Sequence, residues 1–336
     1  MSKYSGGETL GKMVYTGVWE FTMVKHFTIS ENKLVPTEEI GIVQVFVEPT
    51  MAEQQELKAL GIGDHNIASA LDPDELARLE YDENHLVLIL NRPRNYSSKE
   101  QLLFNVTSVG LFLFTDRLIL LSGEELDLQE GKPLGKIKDL KDATLRILGG
   151  FTSHFLGHLK VINLLSDSLE QRINQSMENR FLINMFTLEK SLVFFLNGIG
   201  GNQTVLEKLK LYSTRIGLGE HQQDILEDVI IENQQCNKQA EIYSNILTGL
   251  MDARGSIVNN NLNLLIKRLT IVNVVFMPLN LLAGVGGMSE FTTWTSGAPW
   301  WVAYPLFLLG LSGLGLITYK VLQFTTGERP GKNHRG

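Results

Sequence analysis

The residues of this chain whose types and spacing could act together lie along one stretch near its carboxy end. Asp252, Ser256, Asn259, Asn263, Thr270, Asn273, Met277, Asn280 and Gly284 follow one another at intervals of 4, 3, 4, 7, 3, 4, 3 and 4. On a helix, those intervals hold all of them on one face. Such a face offers neutral oxygens to a cation that keeps its water, as Mg²⁺ does. Asn273 and Asn280 fall inside an apolar segment, where an unpaired amide is costly and so faces protein or water. Two readings stay open: the wall of a pore shared by several chains, or a seam of amides gluing neighbouring helices. The length of the stripe and its lack of a basic partner favour the pore wall. Asp252 at its start either rings a cytoplasmic mouth with carboxylates or is a solvated neighbour of Arg254, and the ring is the favoured reading. Ile266, Leu269 and Met277 beside the stripe could form an apolar constriction that gates by dewetting.

Other constellations are weaker. His154 and His158 stand four apart on an expected helix, the spacing of a two-imidazole metal site, but no carboxylate or thiol supports them, so a packing or surface role is expected. Cys236 is the single cysteine and reads as a structural thiol. Gly198-Ile199-Gly200-Gly201 lacks the Lys-Ser/Thr of a phosphate loop and is expected to end a helix. With no Ser/His/Asp or Cys/His order to defend, the chain is not expected to be an enzyme. A net charge of −7 argues against nucleic acid as a partner.

The elements that must position the stripe are legible from charge. The chain has 336 residues, 43% apolar and 20% charged, an average that hides a segregation. Between Leu269 and Tyr319 the only charged side chain is Glu290, where average usage would place roughly ten. Residues 269–288 and 300–319 are uncharged runs of 20 each, long enough to cross about 30 Å of hydrocarbon as helices. Trp294, Trp300, Trp301 and Tyr304 mark an interfacial belt. Lys267 and Arg268 precede the first span and Lys320, Arg329, Lys332 and Arg335 follow the second, while residues 289–299 carry no Lys or Arg. The positive-inside rule then places both termini in the cytoplasm, 289–299 as an external loop and 320–336 as a cytoplasmic tail. Two spans cannot enclose a pore, so any conduction path needs several copies around an axis.

Upstream, residues 151–268 read as a long-helix stalk: one helix over 152–196, a short one over 203–212, and a third that starts after Gly217-Leu218-Gly219 and shows no stop before Pro278. Residues 1–150 read as an α/β domain, with strands at 18–24, 40–47, 86–90 and 111–121, the last broken at Thr115-Asp116-Arg117, and a helix at 51–60.

Lys267-Arg268-Leu269-Thr270, Phe276-Met277-Pro278-Leu279 and Ala283-Gly284-Val285-Gly286-Gly287-Met288-Ser289-Glu290 together resemble the CorA-type divalent cation (Mg²⁺) transporter family. Gly-Met-Ser stands where that family has Gly-Met-Asn, and Gly286 where an aromatic residue is usual, so the likeness is to a divergent, CmaX-like branch. The resemblance implies a homopentameric CorA-like funnel: an α/β cytoplasmic domain, a long α-helical stalk, and two C-terminal transmembrane helices, the first (269–288) lining the pore and the second (300–319) surrounding it. It implies transport of Mg²⁺, with Co²⁺, Ni²⁺ or Zn²⁺ as further candidates, down the electrochemical gradient across a bacterial inner membrane. The alternative is a poorly selective channel, or a membrane-anchored sensor or scaffold that lost Mg²⁺ selectivity with the altered signature. The implied selectivity signature is Gly287, Met288, Ser289 and Glu290. Asp252, Asn263, Met277 and Asn280 correspond to pore-facing positions, with Leu269 near the hydrophobic gate. Regulatory divalent cations bound by cytoplasmic acids are also implied, with Asp224 and Asp228, next to Glu227, as candidates. The partners are further copies of the chain and the lipid bilayer.

Overall fold

The computed structural model describes residues 24–94, 102–126, 128, 135–175, 179–297 and 299–325. The chain separates into two compact units, Met1–Met251 and Asp252–Gly336.

The first unit is built on a sheet of β1 (Val24–Ser30), β2 (Lys33–Thr37), β3 (Val43–Val47), β4 (Arg78–Tyr81), β5 (Leu86–Pro93), β6 (Val106–Leu113) and β7 (Leu118–Ser122). Their order is β2-β1-β3-β7-β6-β5-β4. Only β3 and β7 pair in parallel, Val43 opposite Leu118 through Val47 opposite Ser122. Both faces are covered, so every residue of β3, β5 and β7 is buried, the polar Gln44, Asn91 and Arg92 included. Alternate residues go to opposite layers. Phe46, Val87, Ile89, Phe112, Ile119 and Leu121 pack with Leu57 of α1 (Met51–Ala59) and Ile67 and Ala70 of α2 (Asp64–Leu71). Val45, Leu88, Leu90, Leu111 and Leu120 pack on the other side with Leu145, Leu148 and Phe151 of α3 (Leu140–Gln175), Val205 and Leu209 of α4 (Asn179–Leu211), and Leu226 and Val229 of α6 (Glu220–Gly286). Helix α1 starts on a capping box: the Thr50 hydroxyl accepts from the Glu53 N–H at 3.3 Å, and Glu53 Oε2 accepts from the Thr50 N–H at 2.7 Å.

Strands were expected at 40–47, 86–90 and 111–121 and a helix at 51–60; β3, β5, the β6–β7 hairpin and α1 lie there. Of the strand expected at 18–24, only Val24 lies within the described residues, where it opens β1. The helices differ more. Residues 152–196 are not one helix: α3 begins at Leu140 and ends at Gln175, and α4 begins at Asn179. Nor does Gly198-Ile199-Gly200-Gly201 stop a helix, because α4 runs through it and absorbs the short helix expected at 203–212. These glycines are contacts. A Cβ on Gly198 would lie 3.1 Å from Val106 Cγ1 and 3.3 Å from Asn91 Cβ, and one on Gly201 3.1 Å from Ala77 Cβ. The close approach lets Asn202 bond both backbone groups of Asn91, accepting at 2.8 Å and donating at 2.7 Å. After α5 (Ser213–Ile216), Gly217 turns the chain at φ 70° and α6 begins.

Three helical stretches among the described residues are long and apolar enough to cross a membrane: Arg180–Leu211, Glu220–Gly286 and Trp300–Leu322. Packing separates them. In the apolar window of the first, 39% of residues are buried within the protein, against 0% in the other two. Helix α4 is a core helix of the first unit. The second unit carries α7 (Ser289–Trp294) and α8 (Trp300–Thr325).

Candidate pore face and signature turn

Within the second unit, α8 covers one side of α6. Leu279 lies against Gly315, whose Cβ would be 3.4 Å from Leu279 Cδ1, and Gly286 lies under the Phe307 ring. Lys267, Ile271, Val275, Pro278, Leu279 and Gly286, all half-buried, recur along that side. At 100° per residue, the stripe from Asp252 to Gly284 is centred about half a turn away. Asp252, Ser256, Asn259, Asn263, Thr270, Asn273, Met277, Asn280 and Gly284 are all exposed. Ile266 and Leu269, 59% and 64% exposed, lie on or beside the stripe.

The polar groups of this face are open to partners. The Thr270 hydroxyl donates to the Ile266 carbonyl at 2.8 Å, a back-bond that leaves its lone pairs facing outward. The side-chain amides of Asn259, Asn263, Asn273 and Asn280 make no hydrogen bond among the described residues. Pro278 sits inside the helix with no N–H, so the Val274 carbonyl lacks its usual donor.

The signature residues form the turn at the end of α6. The Gly287 N–H donates to the Ala283 and Gly284 carbonyls, each at 3.2 Å, and the Met288 N–H to Val285 at 3.1 Å. Ser289 then opens α7, where its hydroxyl donates to Glu290 Oε2 at 3.2 Å and its carbonyl accepts from the Thr293 hydroxyl at 3.0 Å. A Cβ on Gly286 would meet the Phe307 ring at 2.5 Å. The Phe307 ring of α8 therefore occupies the space that a side chain at residue 286 would need. Nothing in the local sequence links these two; the unexpected Gly286 was the one signal. Trp294, Trp300, Trp301 and Tyr304 are 85%, 75%, 64% and 54% exposed, a set of rings open to an interface.

The remaining candidates lie in the first unit. Asp224, Glu227 and Asp228 are exposed on α6, and Glu227 pairs with Lys210. Among the described residues no three His, Cys, Asp or Glu side chains converge to hold an ion. His154 and His158 bond each other, Nε2 to Nε2 at 2.9 Å, beside the Phe104 and Phe195 rings. Burial, then the His158 and Arg92 charges, push His154 down to about 4, so the pair is neutral near pH 7. Burial and then Glu232 push the Cys236 thiol up to about 12, a structural group.

The comparisons with known proteins cover both units. The cobalt/magnesium transport protein CorA of Methanocaldococcus jannaschii is 24% identical over 246 residues, 69% of this chain and 74% of that protein. The complete structure of the CorA magnesium transporter from the same organism superposes with a TM-score of 0.71 at 19% identity, covering 92% of this chain and 97% of that one. The structure of the full-length CmaX protein gives a TM-score of 0.66 at 15% identity, over 89% of this chain and 97% of that one. These structures share the fold: an α/β sheet unit, long helices and an apolar carboxy-terminal helix. The family model described as CorA-like Mg²⁺ transporter protein matches residues 45–320, and this chain belongs to that family.

Proposed function

We propose that copies of this chain assemble around the α6 stripe, as a homopentamer, to conduct divalent cations down their electrochemical gradient across a bacterial inner membrane. Mg²⁺ is the first candidate ion and Co²⁺, Ni²⁺ and Zn²⁺ are the others. One observation carries the reading: the Asn273 and Asn280 amides lie at span depth, lack partners among the described residues, and face away from the side that α8 covers. Leaving one amide unpaired in hydrocarbon costs roughly 2–7 kcal/mol. A shared aqueous path removes that cost for every copy at once.

In this reading both termini are cytoplasmic. Residues 1–150 form the α/β domain, 151–268 the stalk, 269–288 and 300–319 the spans, 289–299 the external segment and 320–336 the tail. Asp252 rings the cytoplasmic mouth. Ile266, Leu269 and Met277 form the constriction, and Gly287, Met288, Ser289 and Glu290 form the outer mouth. Asp224 and Asp228 are surface carboxylates that a neighbouring copy could complete into a regulatory divalent-cation site.

The experiment is uptake into proteoliposomes, read by a Mg²⁺-sensitive dye with Co²⁺, Zn²⁺ and Na⁺ as competitors. Asn280→Ala and Ser289→Ala alter flux while assembly persists; unchanged flux in both removes the pore assignment. A poorly selective channel, or a membrane-anchored sensor or scaffold, is the second reading. It is favoured by Ser289, whose short hydroxyl donates to Glu290.

A further inference from the structure

On α3, two ring nitrogens of ligand type already meet. His154 and His158 stand one helical turn apart, and their Nε2 atoms are 2.9 Å from each other. The ring centroids are 4.7 Å apart and the planes are inclined at 44°. Phe104 and Phe195 stand edge-on to the His158 ring at 5.5 and 6.1 Å. Such aromatic walls fix a ring's orientation without giving it a hydrogen-bond partner. Both histidines are only half-buried, so the pair keeps a route to solvent.

A hydrogen bond between two neutral imidazoles needs one Nε2–H and one bare Nε2. When the donor ring takes its other tautomer, with the proton on Nδ1, both Nε2 lone pairs face the same point. Burial keeps both rings neutral near pH 7, so that exchange releases no net proton.

The spacing discriminates between ions. Transition cations hold imidazole nitrogen at about 2.0–2.1 Å, which puts two nitrogens about 2.9 Å apart on neighbouring corners of a square and about 3.3 Å apart on a tetrahedron. The observed 2.9 Å matches the square arrangement, that of Ni²⁺ and Cu²⁺ rather than Zn²⁺. Mg²⁺ does not fit, because it takes oxygen ligands and sheds its water reluctantly. No third His, Cys, Asp or Glu side chain joins the pair among the described residues. The Arg92 charge bears on His154 and opposes a dication, which keeps the affinity modest. Its guanidinium is itself engaged, donating to the Glu125 carbonyl at 2.9 Å and the Glu124 carbonyl at 3.3 Å.

We propose that His154 and His158 form a two-imidazole site for a divalent transition cation of the Ni²⁺ and Cu²⁺ kind, with both Nε2 atoms on the metal and water in the remaining positions. The site lies within the first unit, and its test reads binding rather than flux, so it stands or falls separately from the conduction reading.

The test is calorimetric titration of the untagged full chain in lipid nanodiscs with Ni²⁺, in buffer that already holds millimolar Mg²⁺ to fill oxygen sites. Ni²⁺ binds saturably with a dissociation constant below about 1 mM, and further Mg²⁺ does not displace it. His154→Gln and His158→Gln each weaken binding at least about tenfold, because the remaining imidazole has lost its chelate partner. Both positions are half-buried on a helix, and glutamine is a good helix former. Ni²⁺ also raises the melting temperature of the wild type and leaves that of each variant unchanged. With one equivalent of Cu²⁺, the electron spin resonance spectrum of the wild type shows coupling to two ring nitrogens, a readout that depends on no variant. Absence of saturable Ni²⁺ binding overturns the proposal. So does wild-type affinity in either variant, displacement by Mg²⁺, or a Cu²⁺ spectrum with fewer than two nitrogens.

Discussion

Substituting Gly286 by Ala tests whether the α6–α8 contact sets the end of α6. The new Cβ would lie 2.5, 2.9 and 3.3 Å from three ring carbons of Phe307. Carbon atoms rest 3.5–4.0 Å apart, so the ring must withdraw by about 1 Å. Overpacking of that kind costs about 1–3 kcal/mol. Against it stands the ordinary benefit of replacing a helical glycine by alanine, about 0.5–1 kcal/mol. The net expectation in the wild-type background is a loss on the order of 1–2 kcal/mol. With Phe307→Ala already in place the clash is gone, and the same substitution stabilises by about 0.5–1 kcal/mol. The sign therefore reverses between backgrounds, with a coupling of roughly 1–3 kcal/mol in a double-mutant cycle. Unfolding of detergent-solubilised protein, followed by tryptophan fluorescence, gives the four stabilities. If Gly286→Ala stabilises both backgrounds equally, Phe307 does not occupy this position and the α6–α8 packing is wrong.

Three further outcomes are expected. Gly110→Ala in β6 places a Cβ 2.6 Å from Ala70 Cβ, which has no rotamer to move to; the denaturant midpoint of the protein falls by the equivalent of about 1–3 kcal/mol, whereas Gly200→Ala, with nothing within 4 Å, does not lower it. Thr50→Ala removes the cap of α1 and lowers stability by about 1 kcal/mol in chemical denaturation. Because His154 is held down to about 4 from 6.5, the unfolded chain takes up a proton in that interval that the folded chain refuses; stability is fully present above pH 6.5 and falls as pH drops toward 4, and His154→Gln makes the decline shallower in urea titrations at a series of pH values.

Much of the second unit was legible in the residues alone. Hydropathy and length set out two apolar helices, because each depends only on residues near one another in sequence. The stripe was legible because a helix converts spacing into direction, and α6 is helical without a break from Glu220 to Gly286. The long helix starting after Gly219 was read correctly for the same reason. The α/β unit was read in outline, but β1 beyond Val24, β2, β4 and α2 were not seen. Lys33–Thr37 contains a proline on an edge strand, and Arg78–Tyr81 has only four residues, too few to show a period.

The misplaced end of α4 has a physical cause. Glycine reads as a stop when nothing is known of its surroundings, yet Gly198 and Gly201 are where α4 meets residues more than 90 positions away, Val106 and Asn91 among them. The apolar length of α4 could not distinguish a core helix from a span; burial against the sheet does. The sequence by itself determined that a polar face enters an apolar helix, since helical geometry is local and carries that information directly. Only the tertiary structure decided which side of α6 is covered and that Phe307 takes the place over Gly286, since each depends on atoms brought together from distant parts of the chain.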